Sequence, residues 1–201
     1  MDKLQERAAA FKRLMNYKYN IKLGRKNQLY EFTIDFQKND FFHLIGLQKL
    51  IDLRFLKRSA EHIFNECLKG NITYSMIAKS QYFNELGYRF EYFNQLESIL
   101  DSNNLIFKCN KNSMQIYSRI AADYMLQHKK EDLLFYLFTA QRNKANTQFC
   151  KSFFENSTTD SSRGQTRLTL LYKEKVNIKT EERQIQYDRL TANKKDKPNI
   201  K

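Results

Sequence analysis

One proline and five glycines are the only breakers in this chain of 201 residues, and the proline, Pro198, lies close to the C-terminal end. Such scarcity excludes a Pro/Gly-rich low-complexity chain and predicts regular elements joined by polar loops. The three cysteines, Cys67, Cys109 and Cys150, are far apart, odd in number and never paired as CxxC. That spacing argues against a disulfide framework and against a thiolate zinc site. No apolar run reaches the length of a membrane span, and residues 1–15 lack the apolar core of a signal peptide. The expected location is therefore the cytoplasm. GxxxxGK[ST] and GxGxxG loops are absent, as are HExxH and paired Cys/His spacings, and the carboxylates show no two-metal cluster. Neither a cofactor nor a metal is expected.

Negative charge is the minority sign: 22 acidic residues face 35 Lys and Arg, a formal net charge of +13. A surplus of this size attracts polyanions and speeds their encounter. RNA heads the expected partners. No strongly basic helix with a broad apolar face stands out, so a membrane partner is not expected. The oligomeric state is not legible.

The hydrophobic pattern places helices first and strands second. Leu4, Ala8, Phe11 and Met15 give a helix over residues 3–15. Residues 17–23 and 29–36 alternate apolar with polar around a basic tip, Gly24–Asn27, which predicts a β-hairpin. Ser59 has N-cap character for a helix that ends at Gly70, and Thr73 starts a short helix. Tyr82–Leu100 carries the strongest helical period. Strands are then predicted at 105–109, 115–120, 123–127, 132–139, 148–154 and 167–176, joined by short polar turns in an antiparallel meander. Thr180–Leu190 reads as a helix and 191–201 as a basic tail. The fold class is α+β: N-terminal helices and a hairpin, then a curved antiparallel β-meander. The organisation reads as 1–27 (helix and basic hairpin), 28–178 (main domain) and 179–201 (polar basic tail).

Several motifs fall in a recognisable order: Phe32 and Phe36, then Phe42-His-Leu-Ile-Gly-Leu47, Phe64, and Lys69-Gly-Asn-Ile72. Ala122-Asp-Tyr124, Ser152-Phe-Phe154, Gly164-Gln165 and Lys173-Glu-Lys175 follow. Together they resemble the fourth phage group of the barnase, EndoU, colicin and RelE-like nucleases, over roughly residues 28–178. The resemblance implies a RelE/barnase-like fold with a curved four-stranded antiparallel sheet. It also implies metal-free RNA cleavage by a toxin or effector of a phage or mobile element. An antitoxin or a host defence protein is then a protein partner to look for. The competing reading is a non-catalytic inhibitor of a host defence complex such as a CRISPR effector.

Metal-free cleavage needs a base for the ribose 2′-OH, an acid for the leaving 5′-oxygen, and donors for the phosphate. His43, the polar residue inside an apolar run, is the candidate base. Ser152, predicted on a face with Cys150 and Phe154, can bind a phosphate oxygen. Gln165, Arg167 and Thr169 share one face of the last long strand and can present an amide, a guanidinium and a hydroxyl. Gln165 and Arg167 join His43 and Ser152 as catalytic candidates, and Thr169 as an RNA contact. Tyr117 and Tyr124 can stack bases. Lys22, Arg25, Lys26, Arg142, Lys144 and Arg163 are candidate phosphate contacts. Each of these residues reads equally as a core, cross-strand or solvated side chain.

Overall fold

A computed structural model describes residues 1–110, 120–143, 146–155 and 160–191. Helix α1 (Lys3–Leu14) starts at Asp2, whose carboxylate accepts from the Leu4 and Gln5 backbone N–H groups. Strands β1 (Tyr17–Arg25) and β2 (Gln28–Asp35) follow as an antiparallel hairpin. Lys26 and Asn27 both have positive φ, 44° and 64°, as a two-residue turn matched to the strand twist requires. Next come α2 (Lys38–Leu44), α3 (Ala60–Lys69) and α4 (Tyr74–Ile77). Ser59 caps α3 through the His62 N–H, and Gly70 closes it in the left-handed region.

The predicted helix over Tyr82–Leu100 is broken into short turns. These include α5 (Tyr88–Tyr92) and α6 (Leu96–Asp101). Gly87, at φ 48° and ψ −143°, interrupts the helical ladder, so the period survives without continuous backbone geometry.

Strands β3 (Leu105–Lys108), β4 (Tyr124–Lys130), β5 (Leu133–Gln141) and β6 (Thr147–Glu155) are antiparallel neighbours in chain order. The expected four-stranded sheet is corrected here, because the hairpin and β7 (Thr166–Asn177) extend it into a ring. β2 pairs in parallel with β6, β7 pairs with β3, and β1 pairs with β7. Seven strands close in the order β1-β2-β6-β5-β4-β3-β7. The expected helix over Thr180–Leu190 is also corrected: Arg183–Asp188 is a strand, β8, on the free stretch of β7 beyond β3. Its residues are exposed or half-buried, so backbone pairing rather than core burial decides its conformation. The boundary read at 27/28 falls inside the hairpin turn. The predicted strand over 115–120 lies outside the described residues except for Ile120, which is not in a strand.

One face of the ring packs on the helices. Phe11, Phe41, Phe64 and Phe93 interleave with ring centroids 5.1–6.2 Å apart. Tyr19, Ile21, Leu23, Phe32, Ile34, Leu126, Leu137, Cys150, Phe153 and Leu168 meet them from the strands. Burying each such side chain contributes about 1.5–3 kcal/mol. A smaller cluster of Phe107, Met125, Tyr136 and Phe138 lies on the other face of β3–β5.

Two bulges decide which side chains face where. Along β7, Lys22 pairs with Tyr172 but Leu23 pairs with Leu170, leaving Leu171 as an extra residue. A Cβ on Gly24 would stand 2.9 Å from Leu171 Cδ1, so glycine makes room for the bulge. The extra residue exchanges the faces: Leu168 belongs to the helix-side core, and beyond the bulge Lys173 turns inward to 1% exposure. Along β6, Phe138 pairs with Ser152 and Thr139 with Cys150, so Lys151 is the extra residue. The predicted shared face of Cys150 and Ser152 is thereby corrected: Cys150 joins the helix-side core, and Ser152 lies beside Phe138 on the opposite face.

Candidate nucleic-acid interface

Because Ile21 and Leu23 point to the core, Asn20 and Lys22 point away from it. Across the β1–β7 ladder they face Glu174 and Tyr172. β8 raises a wall beside β7, and β2 raises another with Glu31 and Thr33. The result is an outward cleft of about 570 Å³, lined among others by Asn20, Lys22, Glu31, Tyr172, Glu174 and Arg183.

Glu174 sits in the cleft, 4% exposed. Asn20 Nδ2 donates to its Oε1 at 2.7 Å, and Tyr172 Oη donates to its Oε2 at 2.8 Å. Thr33 Oγ1 donates to Asn20 Oδ1 at 2.8 Å and so fixes the amide. An Arg183 guanidinium nitrogen lies 3.6 Å from Oε1. Burial alone pushes the Glu174 carboxyl up. The hydrogen bonds from Asn20 and Tyr172, with the charges of Arg183 and Lys18, bring it below the usual carboxylate range. Lys22 pairs with Glu31 at 2.9 Å at the same cleft. The cleft therefore holds an ionised carboxylate together with two cations, the combination of proton acceptor and phosphate binder that phosphodiester cleavage uses.

A second cavity, of about 250 Å³, shares Glu31, Phe32 and Asn146 with the cleft and continues to Lys108, Asp123, Tyr124 and Gln148. Tyr124 stacks on Phe32 at 4.3 Å, so one face of its ring is already covered.

The residues expected from the sequence are dispersed. His43 is on the exposed side of α2, edge-on to Phe42 at 5.4 Å. Its neighbours Phe41 and Leu44 face the helix-side core, whereas Ser152 lies across β6 on the other face. Arg167 is exposed on the outer face of β7 beside Phe107 of β3. The ladder runs from Ser152 through Phe138, Met125 and Phe107 to Arg167, so four strand spacings, about 19 Å along the sheet, separate Ser152 from Arg167. Thr169 is exposed on the same face as Arg167. Gln165 precedes β7 and accepts from the Asn110 N–H at 2.7 Å. Arg163 is exposed near Asp160. Arg25 and Lys26 are exposed at the hairpin tip, and Lys22 lines the cleft.

The expectation that Arg142 contacts phosphate is corrected. Its guanidinium turns inward to Asp35 at 2.7 Å and to both Asp40 oxygens, and packs over Phe149. Tyr117 and Lys144 lie outside the described residues.

Glu174 lies in the Lys173-Glu-Lys175 motif, yet it is not among the site candidates of the sequence because a lysine flanks it on either side. Its signal is the facing pair of alternations, Asn20/Lys22 on the first strand and Tyr172/Glu174 on the seventh.

Among the described residues no cluster of three or more His, Cys, Asp or Glu could hold a metal ion, and no helix is long and apolar enough to cross a membrane. No curated protein and no solved structure matches the chain. A family model does match, over residues 3–190, nearly the whole chain and the full ring of strands. By that match the chain belongs to the phage-Barnase-EndoU-ColicinE5/D-RelE like nuclease4 family.

Proposed function

We propose that the protein is a metal-independent endoribonuclease of a phage or mobile element that works in the cleft between β1, β2, β7 and β8. The observation that carries this reading is Glu174, held ionised within a cleft that also presents Lys22 and Arg183. Glu174 takes the proton of the ribose 2′-OH, and the 2′-oxygen attacks phosphorus. Arg183 and Lys22 neutralise the charge that builds on the phosphate oxygens. The 5′-oxygen leaves with a proton from the Lys22 ammonium, and the other product carries a 2′,3′-cyclic phosphate.

The test is incubation of purified protein with RNA in EDTA. The expected result is cleavage to 2′,3′-cyclic ends, blocked by a 2′-deoxy nucleotide at the cut and lost in Glu174→Gln. Loss of cleavage in His43→Ala with retention in Glu174→Gln would move the base to the histidine. A second reading, a non-catalytic nucleic-acid binder, draws on the same residue: Glu174 is 4% exposed and already holds Asn20 and Tyr172. RNA that is bound yet stays intact selects that reading.

A further inference from the structure

From the cleft the outer face of β7 runs toward the hairpin tip. Glu174 and Tyr172 stand beside Asn20 and Lys22, and beyond the bulge Thr169 pairs with Gly24. Two residues from Thr169 toward the same end of β7 stands Arg167, and β1 ends there in the hairpin turn that begins at Lys26. Arg25, Lys26, Arg167 and Thr169 are all exposed. Among the described residues none of these three cations forms a salt bridge, whereas Lys22 and Arg183 in the cleft are paired with Glu31 and Glu174. Gly24 contributes no side chain at the midpoint, where Leu171 fills the space that a Cβ would take.

From this geometry we infer a second binding subsite: a track for single-stranded RNA along β7, with flanking phosphates held by Arg167 and Lys26. The inference rests on the reading of the cleft as the RNA site and adds the path of the strand away from it. From Glu174 to Arg167 the track runs on the order of 20 Å at the usual rise of an extended strand. Small β-barrels hold roughly four nucleotides of single strand over such a surface. The unpaired cations need no partner exchanged before they meet phosphate. Each contact made to a single strand releases a counterion and steepens the salt dependence of binding by about 0.7 in logarithmic slope.

The experiment measures binding of 2′-O-methyl RNA oligomers, which cannot be cleaved, from a dinucleotide upward across a range of salt. In the wild-type protein affinity is expected to rise with length. In Arg167→Ala and in Lys26→Ala that gain falls about threefold to tenfold at low salt, and the slope drops by about 0.7 for each residue removed. Both side chains are exposed, and thermal melting checks that the variants stay folded. Unchanged length dependence and slope in the double variant would overturn the track. Equal competition by polyglutamate and by an RNA oligomer would also overturn it, because the face would then hold acidic protein rather than RNA. The two readings separate cleanly: absence of RNA cleavage sinks the nuclease assignment, while binding of the uncleavable oligomers decides the track.

Discussion

The two faces of β7 treat charge in opposite ways. Inward, Lys173 donates to the Ser102 carbonyl at 2.5 Å, and Lys175 is clamped by Glu97 at 2.7 Å and Asp101 at 3.0 Å. Asp101 also accepts from Tyr19 Oη at 2.6 Å and from Gln186 at 2.8 Å. Burial, then the Asp101 hydrogen bond and charge, drive the Tyr19 phenol far up, so it stays protonated. Outward, Glu174 has as many partners but opens on a cleft. Lys173, at 1% exposure, is sealed among protein groups, whereas Lys175 and Glu174 are buried to a similar degree, 7% and 4%, and each lines a cavity. Neither partner count nor burial therefore separates the two faces; what differs is the sign of the charge that each presents to its cavity.

The sharpest way to break this comparison is to substitute one side at a time. Glu174→Gln keeps the shape but loses the base, and RNA cleavage is expected to fall about 10²- to 10⁴-fold in a single-turnover assay. A full loss of folding instead would place Glu174 with the inner charges.

Tyr19→Ala empties a fully buried ring site and strips Asp101 of a donor, at a cost of about 3–5 kcal/mol in urea unfolding. An unfolding midpoint close to that of wild type would contradict the sealed inner network.

Lys173 gives the comparison a pH signature. Burial lowers its amine from the usual 10.5 to about 8. Below about pH 8 both the native and the unfolded chain carry the charge, and the native state bears the full cost of burying it. Between about 8 and 10.5 only the unfolded chain binds the proton, so stability rises with pH across that window. Relative to Lys173→Met, the wild type should gain about 3 kcal/mol there. A flat difference between their urea-unfolding profiles would show that the amine is not desolvated.

The smallest expected effect on stability is at the exposed pair in the cleft. Lys22→Ala should change stability by less than about 1 kcal/mol, yet weaken binding of uncleavable RNA at low salt. Equal affinity of both proteins would remove Lys22 from the interface.

What could be read from the sequence follows from where local rules govern. The hairpin was legible because both strands alternate and its tip is polar, and α3 because Ser59 and Gly70 mark its ends. The bulges at Leu171 and Lys151 were not, since one extra residue leaves the composition unchanged while inverting every face beyond it. That inversion hid Glu174 and set Ser152 apart from Cys150. His43 looked central because its neighbours are apolar, but a helix turns about 100° per residue, so Phe41 and Leu44 can be buried while His43 faces out. β8 defeated the reading because its conformation is set by pairing with β7, and Arg142 because its partners, Asp35 and Asp40, are distant in sequence.

The hydrogen bond between Asn20 and Glu174 joins residues 154 positions apart. A ribosome releases β1 and β2 long before β7 and β8, so in between the cleft has one wall and lacks Glu174. Helix α1 and the hairpin can order early, but the ring must wait for β7 to enter between β1 and β3, a late, long-range closure. A nascent chain therefore has no complete cleft until residues 166–188 have emerged, and products truncated before them never acquire it.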